Sequence, residues 1–340
     1  MTGRERVLSM LSGGHPDCLP LMPITMMFAA RHSGVKYRDY ASDHRVMAEA
    51  QLRTAETFGF DYVSAISDPA REASDLGAAI EWFDDQPPAI VESHALLADK
   101  TALAKLAMPD PTLTPRMHDR VEAVRLLRQK AGKDLLVEGW VEGPCAMSAD
   151  LRGVNSVMLD FFDDAAFIRD LFEFTVVMEL RFAKAQIEAG ADIIGIGDAA
   201  ASLIGPKLYH KYVQPYELKL VQAVQDAGAP VRLHICGKTS KLFRGMAATG
   251  AAMIDLDSMA PMAEARAEMG PDPVLAGNLD PVRVMRDGTP AEIEQALAEC
   301  HRAAGERYIV AAGCEVPAGT PYGNVRSMAD YARCLAGASR

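Results

Sequence analysis

No apolar run in the 340-residue chain reaches the length of about 18 residues that a membrane-spanning helix needs. The opening residues, Met1-Thr-Gly-Arg-Glu-Arg-Val7, lack the apolar core of a signal peptide, so a cytoplasmic location is expected. Basic residues are scattered and outnumbered, 35 against 46 acidic, which leaves a net charge of −11. Without a basic stripe there is no footprint for nucleic acid or an anionic membrane, and neither partner is expected. No strand-like segment runs into a Gly-x-Gly-x-x-Gly phosphate turn, which counts against an open doubly wound sheet, the runner-up architecture. The six cysteines, at 18, 145, 236, 300, 314 and 334, do not form a disulfide framework in a chain of this kind. The useful question is which thiols react or bind a metal. Cys300 and Cys334 fall in helical patterns and read as packing residues, and Cys18 lies in a loop entering a strand.

What is present is a globular composition, 49% hydrophobic with a mean hydropathy of zero, and a regular alternation of short apolar strands with helices. Strands are predicted at 19–25, 61–67, 135–141, 192–198, 231–237, 252–257, 274–280 and 308–314. Helices are predicted over 4–11, 44–58, 165–189, 207–227, 240–248, 261–269 and 291–304, with another ending near 131 and a last one from 324. Residues 79–93 read as a hairpin-like excursion around Asp84-Asp85-Gln86-Pro87-Pro88. Eight such strand–helix repeats predict an α/β fold, a (β/α)8 TIM barrel, in a single domain over 1–340. The residues in excess of the typical ~250 of a barrel fall in the N-terminal third, as an elaborated cap.

Active sites of such barrels lie at the C-terminal ends of the strands. Polar side chains recur there: Asp68, Glu142, Asp198, His234, Cys236, Asp257, Asn278, Asp280 and Cys314. Residues two apart on a strand share a face, so His234 and Cys236 point the same way, and Cys314 ends the last strand. One imidazole and two thiolates make a zinc set with a coordination position left open for chemistry. The bland alternatives are a hydrogen-bonded core histidine and cysteines acting as small hydrophobes. Glu142 or Asp257 could supply a fourth ligand. Asp280, followed by Pro281, reads equally well as a helix N-cap. Asp198 could instead anchor a loop through backbone amides. Cys145, in Gly143-Pro144-Cys145-Ala146, could be a nucleophile, but no histidine stands near it in sequence, and it ranks below the trio.

Several segments together resemble the uroporphyrinogen decarboxylase superfamily over nearly the whole length. They include Arg4-Glu-Arg-Val7, Ile66-Ser-Asp68, Gly139-Trp-Val-Glu-Gly-Pro144, Gly197-Asp198, Leu203-Ile-Gly-Pro206 and Tyr212-Val-Gln-Pro215. His234-Ile-Cys-Gly237, Gly277-Asn-Leu-Asp-Pro281 and Gly313-Cys-Glu-Val-Pro-Ala-Gly-Thr-Pro321 complete the set. The His-x-Cys…Cys pattern is similar to that of the zinc-dependent corrinoid methyltransferase branch. The resemblance implies methyl transfer between a methylated corrinoid (methylcobalamin) on a partner corrinoid protein and a small acceptor. Trp140–Pro144 with Ala149-Asp-Leu-Arg-Gly153 is similar to bacterial members of demethylation systems, which makes tetrahydrofolate the expected acceptor; a zinc-activated thiol such as coenzyme M is the other. In the folate reading Glu142, Asp198 and Asp257 are the candidate catalytic carboxyls, one of which would manage the proton at N5, and Asp68 and Asn278 are candidate substrate-binding residues. Homodimers are common in the superfamily. The alternative activity is decarboxylation, since Asp68 stands where the decarboxylases keep an aspartate. Against it, their arginine-rich segment is matched here by Met26-Met-Phe-Ala-Ala-Arg-His32, with one arginine.

Overall fold

A computed structural model describes residues 1–334, and the side chain of Cys334, expected to pack in a helix, lies outside that description. Nine strands follow in chain order: β1 (Tyr62–Ser64), β2 (Ile80–Glu81), β3 (Ala89–Ile90), β4 (Leu136–Glu142), β5 (Ile193–Gly197), β6 (Val231–Ile235), β7 (Met253–Leu256), β8 (Val274–Leu279) and β9 (Tyr308–Ala312). β2 and β3 pair antiparallel as the expected hairpin. The other seven form one parallel sheet in the order β1-β4-β5-β6-β7-β8-β9, with helices on its outside, the arrangement of a (β/α)8 barrel.

The predicted first strand behaves differently. Within 19–25 a single residue, Leu21, makes a parallel bridge, to Val310 of β9. Pro20 and Pro23 have no N–H to donate, so a regular ladder cannot propagate along this segment. It still fills the gap between the first and last strands. The Leu21 carbonyl accepts from the Asp61 amide at 3.1 Å, and the Met22 amide donates to Val310 at 2.9 Å.

Strand alternation then decides what fills the interior. Glu138, Trp140 and Glu142 of β4 share the inner face, as do Arg232 and His234 of β6. Arg232 is fully buried and binds Asp255 of β7 through Nη2 at 2.8 Å and Glu138 through Nη1 at 3.3 Å. Its guanidinium also lies 5.9 Å from the centre of the Tyr62 ring. The floor beneath the mouth is therefore ionic, where most barrels of this kind place branched aliphatic side chains.

The helices His44–Phe58 and Ala165–Ala189 take the predicted bounds. The predicted helix 207–227 is three pieces, with a wider π turn at Tyr209–Val213 between Gly205–Leu208 and Gln214–Asp226. Sequence periodicity missed the helices Pro144–Arg152 and Val154–Asp163, and two short ones of the cap, Met27–Ser33 and Tyr37–Ser42. Pro144 starts the first of these at the position where a missing N–H costs nothing. Among the described residues no helix is long and apolar enough to cross a membrane.

Candidate metal centre

The inner face of β6 carries His234 to the mouth, and Cys236 follows just past the strand's end. Gly237, at φ +90°, turns the chain away directly after Cys236, a conformation that side-chain-bearing residues rarely adopt. Cys314 comes from the turn after β9. Strands β6 and β9 are three places apart in the sheet, yet one ligand atom from each of the three residues lies within 4.8 Å of the others. His234 Nε2 is 2.9 Å from Cys236 Sγ, which is 3.9 Å from Cys314 Sγ.

The second ring nitrogen of His234 is held too. The register places Asp255 beside His234, and Nδ1 lies 3.2 Å from its Oδ2. Arg232 fixes that carboxylate from below. The Asp255 backbone carbonyl is also 3.2 Å from Nδ1, and an Nδ1–H donated to either oxygen leaves Nε2 to face the two sulfurs, the outer-shell pattern of metal-binding histidines. The hydrogen bond from Cys236, helped by His234 and opposed by burial, pulls the Cys314 thiol down to about 4. That same bond, with burial adding to it, pushes Cys236 up. Burial works against a charged His234, but the Cys236 sulfur and Asp255 overcome it and raise its pKa well above the usual imidazole value. Two soft sulfurs and an imidazole this close together form a ligand group that suits zinc.

The trio forms one wall of a cavity of about 150 Å³. Ile24, Ile66 and Trp140 pack together as a small apolar cluster apart from the main core and make another wall. Trp140 fits because β5 offers glycines on its inner face: a Cβ at Gly195 would sit 2.1 Å from the indole. Asp68, Arg71, Glu142 and Glu315 supply the polar remainder.

The other expected site residues serve different neighbours. Asp198 is wholly buried and accepts from the amides of Cys145 and Ala146, so it anchors the start of the helix after β4. Asp257 accepts from the amides of Gly237 and Met259, each at 2.8 Å, and so holds the turn that carries Cys236. Asn278 donates to the carbonyls of Asp257 and Ala260, tying the ends of β7 and β8 together. Asp68 lines the cavity and pairs with Arg116 at 2.7 Å; Glu142 lines it and faces Arg71 at 3.2 Å. Burial outweighs Arg71 and pushes the Glu142 carboxyl up to about 8. Asp280 accepts from the amides of Val282 and Arg283, the N-cap role. Cys145 is fully buried, and burial with Asp198 nearby keeps its thiol protonated, the condition of an inert cysteine.

Sequence reading passed over Asp255, Arg71 and Glu315. The alternation Asp255-x-Asp257 could have indicated Asp255, because it sets both carboxylates on the inner face. Glu315 caps the amides of Met26 and Met27 at the start of a cap helix, and so joins the loop that carries Cys314 to the cap.

A profile of the family described as uroporphyrinogen decarboxylase (URO-D) matches residues 2–335. The methylcobamide:CoM methyltransferase of Methanosarcina mazei is 30% identical over 98% of this chain and 98% of its own. A uroporphyrinogen decarboxylase of Microcystis aeruginosa is 25% identical over 98% of both chains. The solved structure of a methyltransferase from Methanosarcina mazei superposes with a TM-score of 0.90 at 22% identity, covering 98% of this chain and 99% of that one, and so shares the fold. Fold, profile and relatives agree: the chain belongs to the uroporphyrinogen decarboxylase family.

Proposed function

We propose that the chain is a methyltransferase that moves a methyl group from a methylated corrinoid, carried by a partner protein, to a small thiol held at His234, Cys236 and Cys314. The convergence of these three side chains on one cavity wall carries the reading. A zinc ion bound by them would lower the pKa of a thiol at its open position. The residues of the chain supply the rest. Asp255 holds the His234 ring in place, and Ile24, Ile66 and Trp140 give the cavity an apolar wall that would exclude water where the methyl group is transferred. A sulfur–carbon bond forms, the cobalt–carbon bond breaks with its electron pair remaining on cobalt, and the thiol proton leaves to solvent.

A thiol replaces tetrahydrofolate as the favoured acceptor. The Methanosarcina relative is named for coenzyme M, and the row of polar groups expected to hold a pterin is committed elsewhere: Asp198, Asp257 and Asn278 are bound to backbone. A polyanionic tetrapyrrole suits the site poorly, because the one arginine of the 26–32 segment, Arg31, is exposed. Incubation of the zinc-loaded protein with methylcobalamin and 2-mercaptoethanol should form the methyl thioether and shift the corrinoid spectrum. Absence of thioether with any small thiol tried would overturn the reading.

Zinc binding should also depend on pH in a defined direction. His234 and Cys236 both have raised pKa values, so they hold protons at neutral pH that a metal must displace, whereas Cys314 does not. About two protons should leave per zinc, and affinity should rise with pH by roughly two decades per unit near neutrality. Calorimetry in buffers of different ionisation enthalpy measures the number; a value near zero would contradict the described hydrogen bonding of the trio.

A further inference from the structure

Glu142 and His234 stand at one level of the barrel mouth. The register sets Glu142 of β4 beside Gly197 of β5, and Gly197 beside His234 of β6. Two strand spacings put their backbones about 10 Å apart, with both side chains on the inner face. Gly197 projects nothing into the gap, and the Trp140 ring lies 3.1 Å from where its Cβ would be. Among the described residues, the group that closes within 4.8 Å is His234, Cys236 and Cys314, with no carboxyl. Glu142 lines the same cavity and so faces that group without joining it. A small thiol seated on the trio has a carboxyl opposite.

Behind Glu142 lies a layer with more carboxyls than cations. Arg71 serves both Glu142, at 3.2 Å, and Glu72, at 3.0 Å. Glu179, on the helix Ala165–Ala189, is fully buried within hydrogen-bonding reach of Glu72. Both of its oxygens and Oε2 of Glu72 lack a partner, and one proton held between the two residues would answer them. Asp150, on the helix Pro144–Arg152, also has an enclosed oxygen without a partner. Asp68 is matched by Arg116 at 2.7 Å, and Asp198 by the amides of Cys145 and Ala146. Burial first, then Glu72, Asp198 and Asp68, outweigh Arg71 and raise Glu142 to about 8, near the range suited to a proton acceptor.

We propose that Glu142 accepts the proton of the thiol, and that Glu179 is a positioning residue that sets the pH at which Glu142 can do so. The inference rests on the thiol-acceptor reading above and adds its base. The S–H bond breaks with its proton passing to a Glu142 oxygen. The sulfur then takes the methyl carbon as the cobalt–carbon bond breaks with its electron pair on cobalt. Glu142 returns the proton to water when the product leaves.

Zinc-saturated full-length protein with saturating methylcobalamin and 2-mercaptoethanol tests it. Only the ionised carboxylate accepts, so kcat should rise by up to about tenfold per pH unit and level off above about pH 8. Glu142→Gln should lose that limb and lower the plateau by about 100-fold, with KM for the thiol within about threefold. Glu179→Gln removes a carboxyl from behind Glu142 and should move the limb down by about one pH unit. Calorimetry in buffers of different ionisation enthalpy adds a readout without methyl transfer. Above pH 8, thiol binding to Glu142→Gln should release about one proton more per site than binding to wild type, which keeps it on Glu142. Equal proton counts, or an unchanged limb and plateau in Glu142→Gln, overturn the proposal. A limb that Glu179→Gln leaves in place overturns the part given to Glu179. Absence of thioether from wild type with any small thiol overturns the underlying reading instead.

Discussion

Cys314→Ala is expected to empty the metal centre and leave the fold standing. Wild-type protein purified with zinc supplied should carry close to one ion per chain. The variant loses one of only three protein ligands, so its zinc affinity should fall by more than the roughly 10–100-fold seen when an outer-shell partner is removed. Methyl transfer to a thiol should fall with it. The side chain is half-buried and its sulfur interacts chiefly with Cys236 and His234 of the same group, so thermal stability measured without metal should change by less than about 1 kcal/mol. Metal analysis, activity and apo-protein melting separate the cases. A variant that keeps full zinc would show that the trio is a packing cluster; one that fails to fold would show that Cys314 supports the barrel.

Arg232→Met is expected to have the largest effect on stability. The guanidinium is fully buried between Glu138 and Asp255, themselves fully buried. Removing it leaves Glu138 without its counter-ion and Asp255 with His234 alone in a low-dielectric interior, at a cost of about 3–5 kcal/mol. Denaturant titration of apo-protein measures the loss. The triple variant Arg232→Met, Glu138→Leu, Asp255→Leu removes charge and partners together and should recover most of the stability. Zinc binding should recover only in part, because His234 loses the Asp255 carboxylate and keeps only the backbone carbonyl of that residue, also 3.2 Å from Nδ1. If the single variant melts like the wild type, the buried ion network contributes little to stability.

The positions of the trio were legible because two independent periodicities coincide. The period of two sets His234 and Cys236 on one face, and strand–helix alternation sets Cys314 at the same end of the barrel. Location at a strand end was a poorer guide for single carboxylates. Asp198, Asp257 and Asn278 stand where chemistry would be placed, but their oxygens and nitrogens answer unpaired backbone groups of the turns, a demand set by loop conformations absent from any local pattern. Arg71 and Glu72 were missed for the related reason that they sit in a short helix after Pro69, outside any predicted strand. The helix Pro144–Arg152 was missed because it is buried on nearly all sides, and Val154–Asp163 because it also carries exposed apolar residues, Leu159 and Phe162; each blurs the 3.6-residue stripe.

The prolines that interrupt the first strand have a bearing on the order in which the molecule is completed. Leu21 waits for Val310, and Asp61 holds the Leu21 amide at 2.8 Å while it also receives Arg6 and, at 3.0 Å, Arg333. These contacts join the two ends of the sequence, so they are the ones with the greatest loop-closure entropy to overcome. Cys314 arrives on the same stretch of chain that closes the ring. A growing polypeptide therefore displays His234 and Cys236 on an open sheet edge well before their third partner exists. Any metal that the trio binds would then be captured late, on closure of the barrel itself.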